Sequence, residues 1–296
     1  MRSLIALLSL LIAAASGPAL ADTPSAVERL PPGRGDFTFT GWAGPALRVF
    51  YQLPDNVTET TPVLIVLHGV QRDADNYRDE WARHARERGF IVVAPEYSAA
   101  DFPGADEYSS GGFLAPDGST RPPEQWSFAA IEPLFDEVRA RTGTRVPRYV
   151  IYGHSGGAQF VQRFVLMMPD ARYSRAIAAN AGWYTMPTLD VDFPYGLRVT
   201  PVDRDRLTRA LRRPLWILLG ARDTNPRSAN LRQTPEAARQ GPHRLARGDA
   251  FYRQAQETAQ ALGVETNWQR RYVPDAGHDN GAMARAAVAL VAPRRD

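Results

Sequence analysis

The stretch Arg148-Tyr149-Val150-Ile151-Tyr152-Gly153-His154-Ser155-Gly156-Gly157-Ala158-Gln159-Phe160 decides the fold. It opens on a short apolar run rich in aromatic and β-branched residues, the signature of a buried parallel strand. From Ala158 to Met168 the apolar residues Phe160, Val161, Phe164, Val165 and Met168 recur at helical spacing. Between strand and helix stands Gly153-x-Ser155-x-Gly157, the pattern of a nucleophile elbow. A strand that becomes a helix within a few residues crowds its neighbours, so the positions two before and two after the serine must lack a side chain. The serine is then strained, with its hydroxyl raised above the sheet.

Working outward, apolar runs alternate with helical patterns. Strands are expected at Phe37–Phe39, Leu47–Tyr51, Val63–Leu67, Phe90–Ala94, from Ala176, at Leu215–Leu219 and at Asn267–Val273. Helices are expected at Tyr77–Arg88, Glu124–Arg141, Arg247–Leu262 and Gly281–Val291, with a long loop from Pro95 to Pro123. This alternation predicts an α/β fold with a mostly parallel central sheet and helices on both faces. No repeat or linker divides residues 22–296, which read as one domain carrying an insertion over the sheet at about 183–213.

A serine hydroxyl is a weak nucleophile and needs a base, which in turn needs a group to hold its tautomer. Two histidines follow Ser155. His278, in Ala276-Gly277-His278-Asp279 just after the last strand, can be carried over the elbow by a short glycine-containing loop. His243, in a polar Gly-Pro-His-Arg loop, reads as a rim residue. For the acid, Asp223 follows the strand Leu215–Leu219 at a carboxyl end, where open α/β sheets place their sites. Asp249 reads as a residue opening a helix, and Asp275 and Asp279 stand too close to His278 in sequence to orient it. The oxyanion hole needs main-chain N–H donors: Gly156 after the nucleophile, and Val70 after the His68-Gly69 pair. His68 itself is assigned packing and hydrogen bonding rather than a catalytic step. Candidate substrate contacts are Arg72, placed to meet a carboxylate, and Trp183 and Tyr184 at a strand end.

Met1-Arg2, the apolar run from Leu4 and Ala19-Leu20-Ala21 form a secretory signal peptide, 1–21, cut after Ala21. The run is too short for a membrane span, and without cysteine there is neither a lipoprotein anchor nor a disulfide. The chain is therefore expected in the periplasm or outside the cell, with a core that stands unaided. Five scattered histidines, no cysteine and no His-Glu-x-x-His spacing call for no metal and no cofactor. All 35 basic residues are arginine. Between Arg198 and Arg253 thirteen arginines face five acids, an excess of eight charges in a chain of net charge +3. No nucleic-acid-binding motif accompanies that charge, so an anionic small molecule or polymer is the expected partner, with Arg206 and Arg209 as candidate contacts.

Leu67-His68-Gly69, Gly153-His154-Ser155-Gly156-Gly157, Gly220-Ala221-Arg222-Asp223 and Gly277-His278, in that order, resemble the α/β-hydrolase superfamily over about residues 47–291. More narrowly they are similar to its secreted branch of poly(3-hydroxybutyrate)-depolymerase-like and feruloyl-type esterases. Cysteine-bearing members of that branch carry disulfides, and many polyester depolymerases append a substrate-binding domain; this chain has neither. The arginine-rich, cysteine-free, signal-bearing character is also similar to the bacterial poly(aspartic acid) hydrolases of the same fold. The resemblance implies a Ser-Asp-His hydrolase acting on an anionic polyamide, or else on a carboxylic ester or polyester. A non-catalytic binding protein on the same fold would be expected to have lost a triad position, and here all three are filled.

Overall fold

Short apolar runs separated by stretches of helical period bury themselves best by alternating strand and helix. The computed structural model, which describes residues 28–292, shows that alternation. The expected signal peptide lies outside the described residues. Two strands come first, β1 (Arg34–Phe39) and β2 (Leu47–Gln52), then β3 (Val63–Leu67), α1 (Ala74–Arg88) and β4 (Ile91–Glu96). A four-residue helix α2 (Gly104–Glu107) interrupts the long loop, and α3 (Ile131–Thr142) leads to β5 (Tyr149–His154) and α4 (Gly156–Met167). The remaining elements are β6 (Tyr173–Ala179), α5 (Arg204–Arg212), β7 (Leu215–Gly220), α6 (Pro235–Gln240), α7 (Arg244–Leu262), β8 (Trp268–Val273) and α8 (Asn280–Val291).

The strands form one sheet in the order β1-β2-β4-β3-β5-β6-β7-β8. From β4 to β8 every neighbouring pair is parallel, and only β2 runs against its neighbours. Alternate side chains enter opposite layers, as the pleat requires. Leu64, Val66, Val92, Tyr152, Ile177 and Leu218 pack under α1 and α8. Ile65, Leu67, Ile151, Ala178, Ile217 and Leu219 pack under α3, α4, α5 and α7. β3 and β5 are buried along their whole length, which is why they read as unbroken apolar runs.

Departures from the expected elements have local causes. Glu124–Arg141 is not one helix: 3-10 turns at Pro123–Gln125 and Ser127–Ala130 precede α3. Pro133 sits in the first turn of α3, where its missing N–H leaves no intrahelical bond unmade. Residues 180–203 hold no helix or named strand, but α5 packs on α4 as part of the helical layer rather than as part of an insertion. α7 begins at Arg244, because His243 is its N-cap and accepts from the Ala246 N–H at 3.2 Å. Asp249 therefore lies inside the helix and not at its start. Its carboxylate accepts from Arg270 at 2.8 Å and Tyr272 at 2.7 Å.

Candidate active site

The tightness of the β5–α4 turn is visible in its glycines. A Cβ on Gly153 would overlap the carbonyl of Gly157, and one on Gly157 would overlap that of Leu67. Ser155, between them, is held at φ 56°, a left-handed conformation costing a serine about 1–3 kcal/mol. Its N–H donates to the Ala179 carbonyl at 3.0 Å, so the end of β6 helps to hold the strain.

Three loops at the carboxyl ends of their strands meet over this turn. Ser155 Oγ donates to His278 Nε2 at 3.0 Å, and His278 Nδ1 donates to Asp223 Oδ2 at 2.8 Å. Ser155, Asp223 and His278, expected together from the sequence, are thus in one hydrogen-bonded line. His278 is 27% exposed while Asp223 is only 4% exposed, so the imidazole reaches solvent and its carboxylate does not. Gly156 and Val70, the expected oxyanion donors, are neighbours: a Cβ on Gly156 would stand 3.2 Å from the Val70 nitrogen. Among the described residues neither N–H has a protein acceptor. The Val70 side chain is 48% exposed at the rim of the cleft.

Residues that the sequence did not single out brace this line. Asn180, at φ 51° after β6, accepts from the Gly220 N–H at 2.7 Å and donates to the Gly277 carbonyl at 2.8 Å. It thereby ties the Asp223 loop to the His278 loop. Arg244 is buried, with its guanidinium 3.5 Å from Asp223 Oδ1 and donating to Ser228 Oγ at 2.8 Å. Burial pulls its pKa down from the arginine range, while Asp223 acts to raise it. His154 packs its ring 4.7 Å from that of His278 and is hydrogen-bonded through Nδ1 to Tyr77 Oη at 3.1 Å. Burial first, then His278 and Arg244, push its pKa well below the usual histidine value, so it sits neutral beneath His278. No periodicity or spacing in the sequence signals these contacts, because each depends on loops distant in sequence.

His68 is fully buried: Nδ1 donates to the Gly69 carbonyl at 2.9 Å and Nε2 accepts from the Tyr97 N–H at 3.0 Å. Burial lowers its pKa to about 3. Arg72 is turned away from a ligand role. Its guanidinium donates to the carbonyls of Tyr97, Phe102 and Gly104 at 2.7–2.8 Å and lies over the Tyr108 ring, so it staples the loop after β4. Tyr184 is likewise a core residue, stacked on Phe251 at 4.5 Å with its main chain paired to Gln240. Trp183 does line a cavity beside the cleft. Arg206 and Arg209 stand on α5, away from Ser155: Arg209 pairs at 3.3 Å with Asp170, beyond the far end of α4. The thirteen arginines do not form one patch, since Arg213 and Arg247 are spent on main-chain carbonyls and Arg198, Arg222 and Arg239 on acids. Among the described residues no group of three or more His, Asp or Glu side chains is placed to hold a metal ion, and no helix is long and apolar enough to cross a membrane.

No protein-family model and no curated protein sequence matches the chain. Solved structures do. Poly(aspartic acid) hydrolase-1 from Sphingomonas sp. KT-1 is 53% identical with a TM-score of 0.88, over 88% of this chain and 99% of that one. LpqC, a poly(3-hydroxybutyrate) depolymerase from Bordetella parapertussis, is 34% identical with a TM-score of 0.84, over 88% and 90%. FphF, a fluorophosphonate-binding serine hydrolase of Staphylococcus aureus, covers 88% of this chain and 98% of its own; at 16% identity and a TM-score of 0.58 it speaks for the fold alone. The chain belongs to the α/β-hydrolase superfamily, in the branch that holds the first two of these proteins, and is a serine hydrolase.

Proposed function

We propose that this protein hydrolyses the amide bonds of an anionic polyamide, poly(aspartic acid) being the leading substrate, through an acyl-enzyme on Ser155. The observation that carries the reading is the line Ser155–His278–Asp223 beneath two free main-chain donors. His278 Nε2 takes the hydroxyl proton as Ser155 Oγ attacks the scissile carbonyl. The N–H groups of Gly156 and Val70 receive the negative charge that develops on the carbonyl oxygen. The imidazolium then gives its proton to the leaving nitrogen, which departs as an amine. A water molecule, deprotonated by the same imidazole, attacks the acyl-serine; collapse returns the proton to Ser155 and frees the carboxylate. Asp223 holds the Nδ1–H tautomer throughout. The 53% identity to a poly(aspartic acid) hydrolase supports the amide and the polyanion.

A second reading is a carboxylesterase or polyester esterase, favoured by the 34% identity to LpqC. The same Ser155 and His278 would serve either bond. The amino-terminal signal pattern supports export of the mature chain to the periplasm or medium.

One experiment separates the two: the purified protein is incubated in parallel with poly(aspartic acid), short-chain nitrophenyl esters and polyhydroxybutyrate. Shortening of poly(aspartic acid), absent in Ser155→Ala, is the expected result. Esters or polyhydroxybutyrate cleaved with the polyanion untouched would replace the first reading with the second.

A further inference from the structure

The cleft over Ser155 continues past Val70 and Asn230 into a second cavity of about 450 Å³, and the two ends carry opposite charge. Asp73, Glu80 and Asp279 line the end around His278, together with Arg244. No acid lines the other end, where Arg72, Gln159, Trp183 and Arg232 stand. Arg72 is committed to three carbonyls, as described above. Arg232 is not: among the described residues its guanidinium has neither a hydrogen bond nor a carboxylate within 4 Å.

What fixes Arg232 is an aromatic wall. Its guanidinium carbon lies 4.4 Å from the Trp183 ring centre and 5.5 Å from that of Tyr195. Arg163, fully buried, lies 4.0 Å from the same Trp183 ring. Two guanidinium groups have no room that close to one face of an indole, so Trp183 is sandwiched between them. Arg163 donates to Thr185, Ser109 and Gln159, yet its Nη2 has no partner and no carboxylate pairs with it. Burial, with Arg232 next, pulls its pKa down to about 9. Two cations stacked on one ring with no carboxylate in contact, Asp106 acting on Arg163 only from further off, are costly in partial burial, and an anion entering the cavity offsets that cost. Planar stacking also leaves the edge donors of Arg232 free for a carboxylate.

We propose that this cavity is the subsite for a carboxylate on the acyl side of the scissile bond, with Arg232 pairing the carboxylate and Trp183 holding Arg232 in place. The inference rests on the polyanion reading for its biological substrate. Orientation follows from the chemistry: His278 must protonate the leaving group, so that group lies at the His278 end and the acyl part lies towards Arg232. The aspartyl acyl unit, linked through either of its carboxyl groups, is an amino-substituted succinyl group. Its free carboxylate therefore stands at the same number of bonds from the reacting carbonyl in both linkages, and one cation at a fixed distance can serve both.

The test uses two esters of equal length, monomethyl succinate and methyl butyrate, which differ in bearing a carboxylate or a methyl group. Their kcat/KM ratio is measured by pH-stat for the wild type and for Arg232→Gln, alongside cleavage of poly(aspartic acid). The wild type should prefer the succinate ester, and Arg232→Gln should lower that ratio about tenfold or more, as loss of a charge-assisted bond does. A wild type with no preference, or a ratio within twofold of wild type in the variant, overturns the subsite; a purely structural role would slow both esters together and leave the ratio standing. If poly(aspartic acid) is not cut but the ratio falls, the subsite holds and the polymer reading fails. If the polymer is cut and the ratio does not move, the reverse is true.

Discussion

His68 after β3 and His278 after β8 lie on the same rim of the sheet, and their surroundings give them opposite work. Main-chain groups hold both nitrogens of His68, and the ring is sealed from solvent. His278 keeps one nitrogen on a carboxylate and turns the other to a serine hydroxyl in an open cleft. Proton exchange needs a nitrogen with a partner that can react, so of the two it is His278 that is placed for the proposed role of base. His68 instead converts ring geometry into loop geometry, fixing the loop after β3 that bears Val70 against Tyr97, the residue that follows β4. Position at a strand end does not distinguish the two rings; their hydrogen-bond partners do.

The largest expected effect breaks the line at its reactive end. Ser155→Ala or His278→Ala should lower kcat by about 10⁶-fold, the loss seen when the equivalent groups are removed from subtilisin. Thermal unfolding should be little changed in both. A fluorophosphonate probe should label Ser155 alone, and mass spectrometry placing the label elsewhere would displace it as nucleophile. Next comes Asp223→Asn, which keeps the shape but favours the wrong imidazole tautomer and should cost about 10⁴-fold. A rate within tenfold of wild type would mean that Asp223 does not orient His278.

The other histidine should be read in stability rather than rate. Free His68 would titrate near 6.5, and in the fold it does so at about 3. Between those values the unfolded chain binds a proton that the folded chain refuses, so stability falls as the pH drops below 6.5. The slope approaches about 1.4 kcal/mol per pH unit and vanishes above neutrality. Buried His154 adds a loss of the same sign. Urea midpoints from pH 7.5 to 5 should show the fall, and His68→Gln should lower overall stability while making its acid slope shallower. An unaltered slope in that variant would show that His68 does not titrate in this way.

The sequence displays the parts of this site that local sterics dictate. Gly153 and Gly157 are forced by the turn, β3 and β5 by burial on both faces, and His278 by its place after the last strand. It does not display what depends on loops folding together. Asn180 bridges Gly220 and Gly277, and Arg244 reaches Asp223, across gaps that carry no periodicity. α6 is only six residues long, too short for a helical pattern to emerge. Arginine misled most. Arg72 and Arg206 look alike on the page, yet one staples three carbonyls and the other stands on α5.

The smallest expected effect concerns that surface helix. A charge count along the chain pools arginines from both ends of the sheet, whereas a substrate meets only those near Ser155. α4 runs 12 residues away from Ser155, about 18 Å, before the chain reaches the Asp170 that pairs with Arg209. At physiological ionic strength the screening length is about 8 Å, so charges on α5 at that end are felt weakly in the cleft. Reversing Arg206 and Arg209 together to glutamate should therefore change kcat/KM for monomethyl succinate by less than twofold. The exposed Arg209–Asp170 pair it breaks is worth less than about 1 kcal/mol, so the fold should survive. Poly(aspartic acid) gives the sharper version, because a long chain could trail over the surface and sum many weak contacts. Cleavage of the polymer should also stay within twofold of wild type at 0.15 M salt. A tenfold loss on the polymer with the small ester spared would show that the chain reaches round to α5, and that the working arginines extend well beyond Arg232.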